Sequence, residues 1–191
     1  MNTEPWLAQW AQKIGVGGVA FDIGANAGDW TGWLKTRFAS VISLEPDLRC
    51  QPPAGCEYDR SAVWHTTGAG RLFRRTSALQ SSMYEFHEMG DGGQAVHVVA
   101  TEVVATVTLD DLANRYGRPD FIKMDIEGAE VEAISSATLP CFSECRWLIE
   151  LHNTRDALAP HLDRLGYEHC EIILHPSKAA APGHEWLLVT R

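Results

Sequence analysis

The sequence has no run of apolar residues approaching the ~20 that span a bilayer, so a membrane-crossing helix is not expected. Cysteine is scarce and odd in number: Cys50, Cys56, Cys141, Cys145 and Cys170, with no C-x-x-C spacing. That pattern argues against a disulfide framework and a structural zinc site, and for free thiols in a reducing cytoplasm. Positive charge is in deficit, with 16 Lys and Arg against 25 Asp and Glu and a formal charge of −9. The densest basic stretch, Arg71 to Arg75, holds three Arg and reads as a solvated strand or turn. No groove for nucleic-acid phosphates is therefore expected. The chain also lacks a G-x-x-x-x-G-K-[ST] phosphate loop, a G-x-G-x-x-G dinucleotide fingerprint, an internal repeat and any low-complexity tract. Its start, Met1 to Trp6, has neither the basic residues nor the apolar stretch of a secretion signal.

What is present is an ordinary globular composition, 45% hydrophobic and 21% charged over 191 residues. That length suits one domain over residues 1–191, opening with a helical segment at 1–18. Thr3 can cap the first helix and Pro5 fits its first turn, while Trp6, Leu7, Trp10 and Ile14 share one face. Trp6, Trp10, Trp30 and Trp33 read as packing surface between that helix and the next. A strand at 19–23, a glycine-bearing turn at 24–28 and a helix marked by Trp30, Trp33, Leu34 and Phe38 begin a βαβ unit. Strands are expected at 40–44, 61–64, 70–73, 96–107, 121–124 and 146–150. Helices are expected from Thr108, with Asp111 as capping-box partner, and over 127–137 and 154–165. Strands at 168–174 and 185–190, joined by a polar loop without a helix, must be antiparallel. The alternation predicts an α/β fold with a mostly parallel sheet and helices on both faces. Ligands in such folds bind beyond the carboxyl ends of the strands.

The first strand ends in Asp22-x-Gly24-x-Asn26-x-Gly28. Glycines allow a tight turn and close approach of a ligand to the backbone. Asn26 stands where a dinucleotide site needs glycine, and Asp22 suits an ammonium group better than a pyrophosphate. Glu45, about 20 residues beyond the turn at the end of the second strand, reads as an acceptor for ribose hydroxyls. Asp125, Glu127 and Glu130 place three carboxylates within six residues at another strand-to-helix junction. Helix-dipole preference accounts for Glu127 and Glu130. It does not account for Asp125, which would face the same crevice as Gly24 and Glu45.

Asp22-Ile23-Gly24-Ala25-Asn26-Ala27-Gly28, Ser43-Leu44-Glu45-Pro46, Thr108-Leu109-Asp110-Asp111-Leu112 and Lys123-Met124-Asp125-Ile126-Glu127-Gly128-Ala129-Glu130 together resemble the FkbM family of methyltransferases. Leu79 to Ser82 resembles the family's Ser-rich stretch and Glu150-Leu151-His152 its fifth-strand ending. The resemblance implies a Rossmann-like class I methyltransferase fold of seven strands, the last antiparallel. It implies S-adenosylmethionine as cofactor and O-methylation of a hydroxyl on a sugar, glycan, lipid or polyketide. In that frame Gly24, Ala25, Asn26 and Gly28 give backbone approach to the methionine moiety, and Asp22 orders that loop or binds its amine. Glu45 takes the ribose hydroxyls and Pro46 shapes the turn. Asp59, Arg60 and Ser61 cap the adenine, while Ser81, Ser82 and Tyr84 face the acceptor. The chain carries no long insertion from which an acceptor-binding cap could be built.

Methyl transfer to an alcohol calls for alignment and a general base. His152 is the first candidate, because imidazole titrates near neutrality. Asp125, Glu127 and Glu150 are the others. The rival is a divalent ion, for which Asp125 with Glu150, or with Asn153, offers oxygen ligands. The partners expected are a small-molecule or glycan acceptor, with no nucleic acid and no membrane. A reading from a different class stays open: a cofactor-binding module without its own catalysis, completed by a partner. A nicotinamide oxidoreductase is disfavoured by Asn26.

Overall fold

The computed structural model describes residues 11–51, 54–76, 80–85, 97–168, 170–173 and 184–190. The expectations for Thr3, Pro5, Trp6, Leu7, Trp10, Leu79 and the polar loop before the last strand lie outside these residues. Residues 11–14 are helical, and Gly15 ends the turn at φ 74°.

The chain then runs β1 (Gly17–Ile23), α1 (Asp29–Leu34), β2 (Phe38–Leu44) and β3 (Glu57–Asp59). β4 (Ala62–Val63), β5 (Gly68–Arg75), β6 (Val98–Val107), α2 (Leu109–Tyr116) and β7 (Phe121–Met124) follow. α3 (Glu130–Ser135), a 3-10 turn at Pro140–Ser143, β8 (Arg146–His152), α4 (Arg155–Arg164), β9 (Cys170–Ile173) and β10 (His184–Val189) complete it. Seven strands form one sheet in the order β3-β2-β1-β7-β8-β10-β9. β2, β7, β8 and β3 pair in parallel, and β10 is antiparallel to both β8 and β9. The predicted mostly parallel sheet with an antiparallel terminal hairpin is therefore present.

Side-chain alternation along the strands splits the core in two. Phe21, Ile23, Ile122, Met124, Trp147 and Ile149 face α2, α3 and α4. Ala20, Phe121, Leu148 and Trp186 pack with Trp33 and Leu34 of α1 and with Ile14. Trp30 stands 5.7 Å from Trp33 and 5.6 Å from Trp186, ring to ring, so these tryptophans are packing surface as expected.

Several local expectations need correction. β3 is three residues long and exists through pairing with β2, a tertiary effect invisible to local pattern. The third helix begins at Glu130, not Glu127, because Glu127 (φ 55°) and Gly128 (φ 98°) form a left-handed turn. Between β3 and α2 the expected strands are present, and they form a sheet of their own. β4, β6 and β5 make a separate three-stranded sheet with its own small core of Ala62, Leu72 and Val104, and Ser82 bridges to Phe73 at its edge.

The strand order reverses between β1 and β7, so a crevice opens at their carboxyl ends. Gly24 sits there at φ 75°, and a Cβ on it would lie 1.8 Å from the Asp125 carbonyl oxygen. Gly24→Ala is expected to cost more than about 2 kcal/mol of stability, read as a fall in thermal midpoint. A loss below about 1 kcal/mol would show that the two strand ends part without penalty.

Candidate active site

The crevice is built around a buried cation. β7 is fully buried, yet its third residue is Lys123, 2% exposed. Lys123 pairs with Asp22 across the β1–β7 register, and its Nζ lies 3.4 Å from Asp22 Oδ1 and 3.8 Å from Asp125 Oδ2. It donates to the Gly24 carbonyl at 2.7 Å. Burial opposes its charge, but the Asp22, Asp125 and Glu150 carboxylates prevail and raise its pKa. Asp22 is fully buried and accepts from Thr31 Oγ1 at 2.6 Å, and the same hydroxyl meets Ser43 Oγ at 2.8 Å. Asp22 therefore orders the loop from beneath; a direct contact with a ligand amine, the other role considered for it, is closed by burial.

The amides of the glycine turn are largely spent within the fold. Those of Gly24 and Ala25 donate to the Leu44 carbonyl, that of Gly28 to the Ala25 carbonyl, and that of Asn26 to Glu45 Oε2 at 3.1 Å. Gly24, Ala25, Asn26 (φ 47°) and Gly28 (φ 86°) thus shape the wall and do not offer amides to a ligand. Glu45 is 8% exposed at the end of β2, where its Oε1 accepts from the Asp47 amide at 2.8 Å. Burial raises its pKa against those two backbone bonds. Each oxygen keeps acceptor capacity for a diol at the crevice edge. Half-buried Pro46 follows it.

Asp47 was not singled out from the sequence. It is buried and gripped by Arg49 through Nε at 3.0 Å and a terminal nitrogen at 2.6 Å, and it accepts from Ser81 Oγ at 2.8 Å. Against the cost of burial, these partners hold its pKa near 2. The Arg71–Arg75 stretch is the strand expected, but only Arg71 is exposed: Arg74 reaches Glu102, and Arg75, 2% exposed, donates to the Gln80 and Tyr84 carbonyls. Asp59 accepts from the Ser61 amide, Arg115 and the Tyr116 hydroxyl, and Arg60 donates to the Asp47 and Cys50 carbonyls. The side chains of Asp59 and Arg60 therefore fix the loops beside Glu45, a framing role around the expected adenine position.

Across the crevice, Ser82 Oγ donates to the Glu127 carbonyl at 2.8 Å, and Tyr84 lies against Gly128. Ser82 and Tyr84 thus meet the Asp125–Gly128 turn, whereas Ser81 turns to Asp47 and Arg49. His152 ends β8 with its ring nearly buried. Its Nδ1 lies 2.9 Å from Glu130 Oε1; its Nε2 lies 3.7 Å from Glu127 Oε2 and 3.9 Å from Asp125 Oδ1. Glu130 is fully buried and also accepts from the Gly128 amide and Thr154. It is a site residue that helix-dipole reasoning concealed. Burial disfavours the His152 charge, but Glu130, Glu127 and Asp125 overcome it and raise its pKa to about 10. These carboxylates favour the charged ring, in which both nitrogens donate; acting as a general base or as a metal ligand requires the ring to give up one of those protons.

One ligand atom each from Asp125, Glu150 and His152 lie within 4.8 Å of one another. This oxygen–oxygen–nitrogen set, with Glu150 and His152 buried and Asp125 half-buried, fits a divalent cation, and it adds His152 to the expected Asp125 and Glu150.

The sequence model for the "Methyltransferase FkbM domain" matches residues 22–171. No curated protein shows significant similarity to the chain. Among solved structures, precorrin-6y C5,15-methyltransferase from Geobacter metallireducens GS-15 superimposes with a TM-score of 0.51 at 12% identity, covering 99% of this chain and 88% of that one. Precorrin 8w decarboxylase from Methanobacterium thermoautotrophicum gives 0.50 at 13% identity, covering 97% and 88%. At this identity both speak for the fold alone.

Two substitutions test the buried charges. Lys123→Met leaves Asp22 buried without its ion partner and is expected to cost about 3–5 kcal/mol in chemical denaturation. Asp47 has a folded-state pKa near 2 against an ordinary 3.8, so its stabilisation is complete above about pH 4 and is lost as pH falls toward 2. Asp47→Asn should remove about 2 kcal/mol at pH 7 and flatten the acid limb of stability between pH 4 and 2. An unchanged acid limb would contradict the Asp47–Arg49 assignment.

Proposed function

The chain belongs to the FkbM methyltransferase family, and on that premise we propose that it methylates a hydroxyl oxygen of a sugar, glycan or other small natural product. S-adenosylmethionine is its cofactor; when bound it supplies a methyl group on a sulfonium sulfur. The supporting observation is the meeting of Asp125, Glu127 and His152 within 4 Å beside the glycine turn.

Each residue has a definable task. Glu45 receives the ribose hydroxyls through the acceptor capacity left on its two oxygens. The Gly24–Gly28 turn leaves room for the methionine moiety, braced from below by Asp22 and Lys123. Asp125 and Glu127 carry acceptor oxygens, whereas both nitrogens of His152 face carboxylates and donate. The proton leaving the acceptor hydroxyl therefore passes to Asp125 or Glu127, and His152 with Glu130 holds those carboxylates in place. Such a base contributes about 10²–10⁴-fold.

The Asp125–Glu150–His152 cluster favours a second reading of the same transfer. With His152 neutral and one of its ring nitrogens free of its proton, these three residues would hold a divalent ion, whose chemistry there would be to lower the pKa of the acceptor hydroxyl. The free state of all five cysteines and the absence of a membrane-crossing helix among the described residues support work in the cytoplasm.

Calorimetric titration of S-adenosylmethionine into the full chain should give micromolar binding, weakened about tenfold or more by Glu45→Ala, roughly 1.4 kcal/mol. With a panel of glycosides and polyols, Asp125→Asn and Glu127→Gln should lower turnover about 10²–10⁴-fold while cofactor binding persists. Loss of turnover with chelator, restored by Mg²⁺ or Mn²⁺, would select the metal-assisted reading. Cofactor binding with no methylated product would favour a binding module completed by a partner.

A further inference from the structure

The wall opposite the cofactor side carries a group of rings that the transfer chemistry does not use. Trp64 follows β4 and meets Tyr84 edge to face at 5.7 Å between ring centroids, and His65 lies 5.2 Å from Trp64 on its other side. Tyr84 is 36% exposed and Trp64 half-buried, so part of the pair stays open to a ligand. The position of Tyr84 is fixed from three directions. Arg75 holds its carbonyl, Ser82 Oγ takes its amide at 3.1 Å, and its ring lies against Gly128. Its hydroxyl donates to Glu132, and that carboxylate together with burial raises the phenol pKa.

These rings come from two separate segments, β4's end and the strap at 80–85, and the strap sets Tyr84, with Trp64 against it, beside the turn that bears Asp125 and Glu127. The juxtaposition is specific in its chemistry. An aromatic face packs well against the C–H face of a saturated ring. The neighbouring carboxylates of Asp125, Glu127 and Glu132 accept from hydroxyls by charge-assisted hydrogen bonds. A ligand with one apolar face and a rim of hydroxyls satisfies both at once. An alkyl chain would leave the carboxylates unused, and an anionic ligand would be repelled by them. We infer that Trp64 and Tyr84 form the acceptor subsite, and that the acceptor it takes is a neutral pyranose-like sugar ring presenting a hydroxyl toward Asp125 and Glu127. This rests on the methyltransferase reading above and adds the acceptor's class and the residues that choose it.

The test is saturation-transfer NMR on the full chain loaded with S-adenosylhomocysteine, using methyl glucopyranoside, methyl mannopyranoside, phenol, butanol and glucuronate as separate probes. Transfer is expected onto the ring C–H protons of the two glycosides and not onto butanol or glucuronate. It should fall about fivefold or more in Tyr84→Ala and Trp64→Ala and persist in Tyr84→Phe and Trp64→Phe, which keep a ring. Calorimetry of S-adenosylhomocysteine on each variant separates a lost subsite from a lost fold, since cofactor affinity should not change. Glycoside transfer that is absent in the wild type, unaltered by both alanine variants, or exceeded by phenol or butanol would overturn the assignment. If the wild-type chain bound no S-adenosylhomocysteine, the methyltransferase reading would fail first. Glycoside transfer onto the cofactor-free chain, lost in the alanine variants and kept in the phenylalanine ones, would then still stand for the subsite.

Discussion

An ammonium group with almost no contact with water organises this molecule. Lys123 occupies the interior of a buried strand, where an unpaired charge would cost several kcal/mol. Its partners are therefore obligatory, and each one places something the crevice needs. Asp22, opposite it in register, fastens Thr31 and through it Ser43, which docks α1 over β1 and β2. The Gly24 carbonyl, pulled toward Nζ, sets the course of the turn. Asp125 is drawn to the same cation where β7 meets the crevice. Buried ion pairs add little stability over apolar packing of the same volume. What this one supplies is placement: strand register, helix docking and the aim of a crevice carboxylate are fixed by a single charge.

Two further ties carry that order across the crevice. Asp47 and Arg49 extend from the Glu45 loop to Ser81, and Ser82, the next residue, bonds the Glu127 carbonyl. The strap at 80–85 is thereby pinned at one end to the Glu45 side of the crevice and at the other to the turn that bears Asp125 and Glu127. Arg75 closes the strap from below by taking two of its carbonyls. Arg74 and Arg75 of β5 serve internal carbonyls and a carboxylate, not an external polyanion.

Much of this was legible in the sequence, and the failures share a cause. Period-two and helical patterns found the parallel strands, because burial on both faces writes an apolar run that no loop imitates. Glu45 and Asp125 were found because they stand just past strand ends, and Asp22 because it leads into the glycine turn. β3 was missed because three residues carry no period. Asp22's inward aim was undecidable from position, since strand-end side chains point either way. The internal bonding of the turn was not legible, because the Leu44 carbonyl that takes two of its amides is remote in sequence. The clearest unread signal was Lys123 itself, a lysine inside Phe-Ile-Lys-Met, where alternation alone demands a buried partner. Glu130 was hidden by a sufficient local explanation: carboxylates favour helix starts whether or not anything lies beneath them.

That last case shows how backbone geometry makes the site. Had the helix begun at Glu127, Glu127 and Glu130 would lie three residues apart on one face and present their carboxylates side by side. The left-handed pair at Glu127 and Gly128 delays the helix and turns the two carboxylates apart. Glu130 passes inward to His152 Nδ1, and Glu127 faces Nε2. One imidazole is thus held between two acids separated by two residues of chain. A non-glycine residue in that conformation costs on the order of 1 kcal/mol. Ser82 on the Glu127 carbonyl and the Gly128 amide on Glu130 offset it. The strap that frames the acceptor therefore also holds the strained turn, so the residues that would recognise a sugar and those that would take its proton are fixed by the same contact.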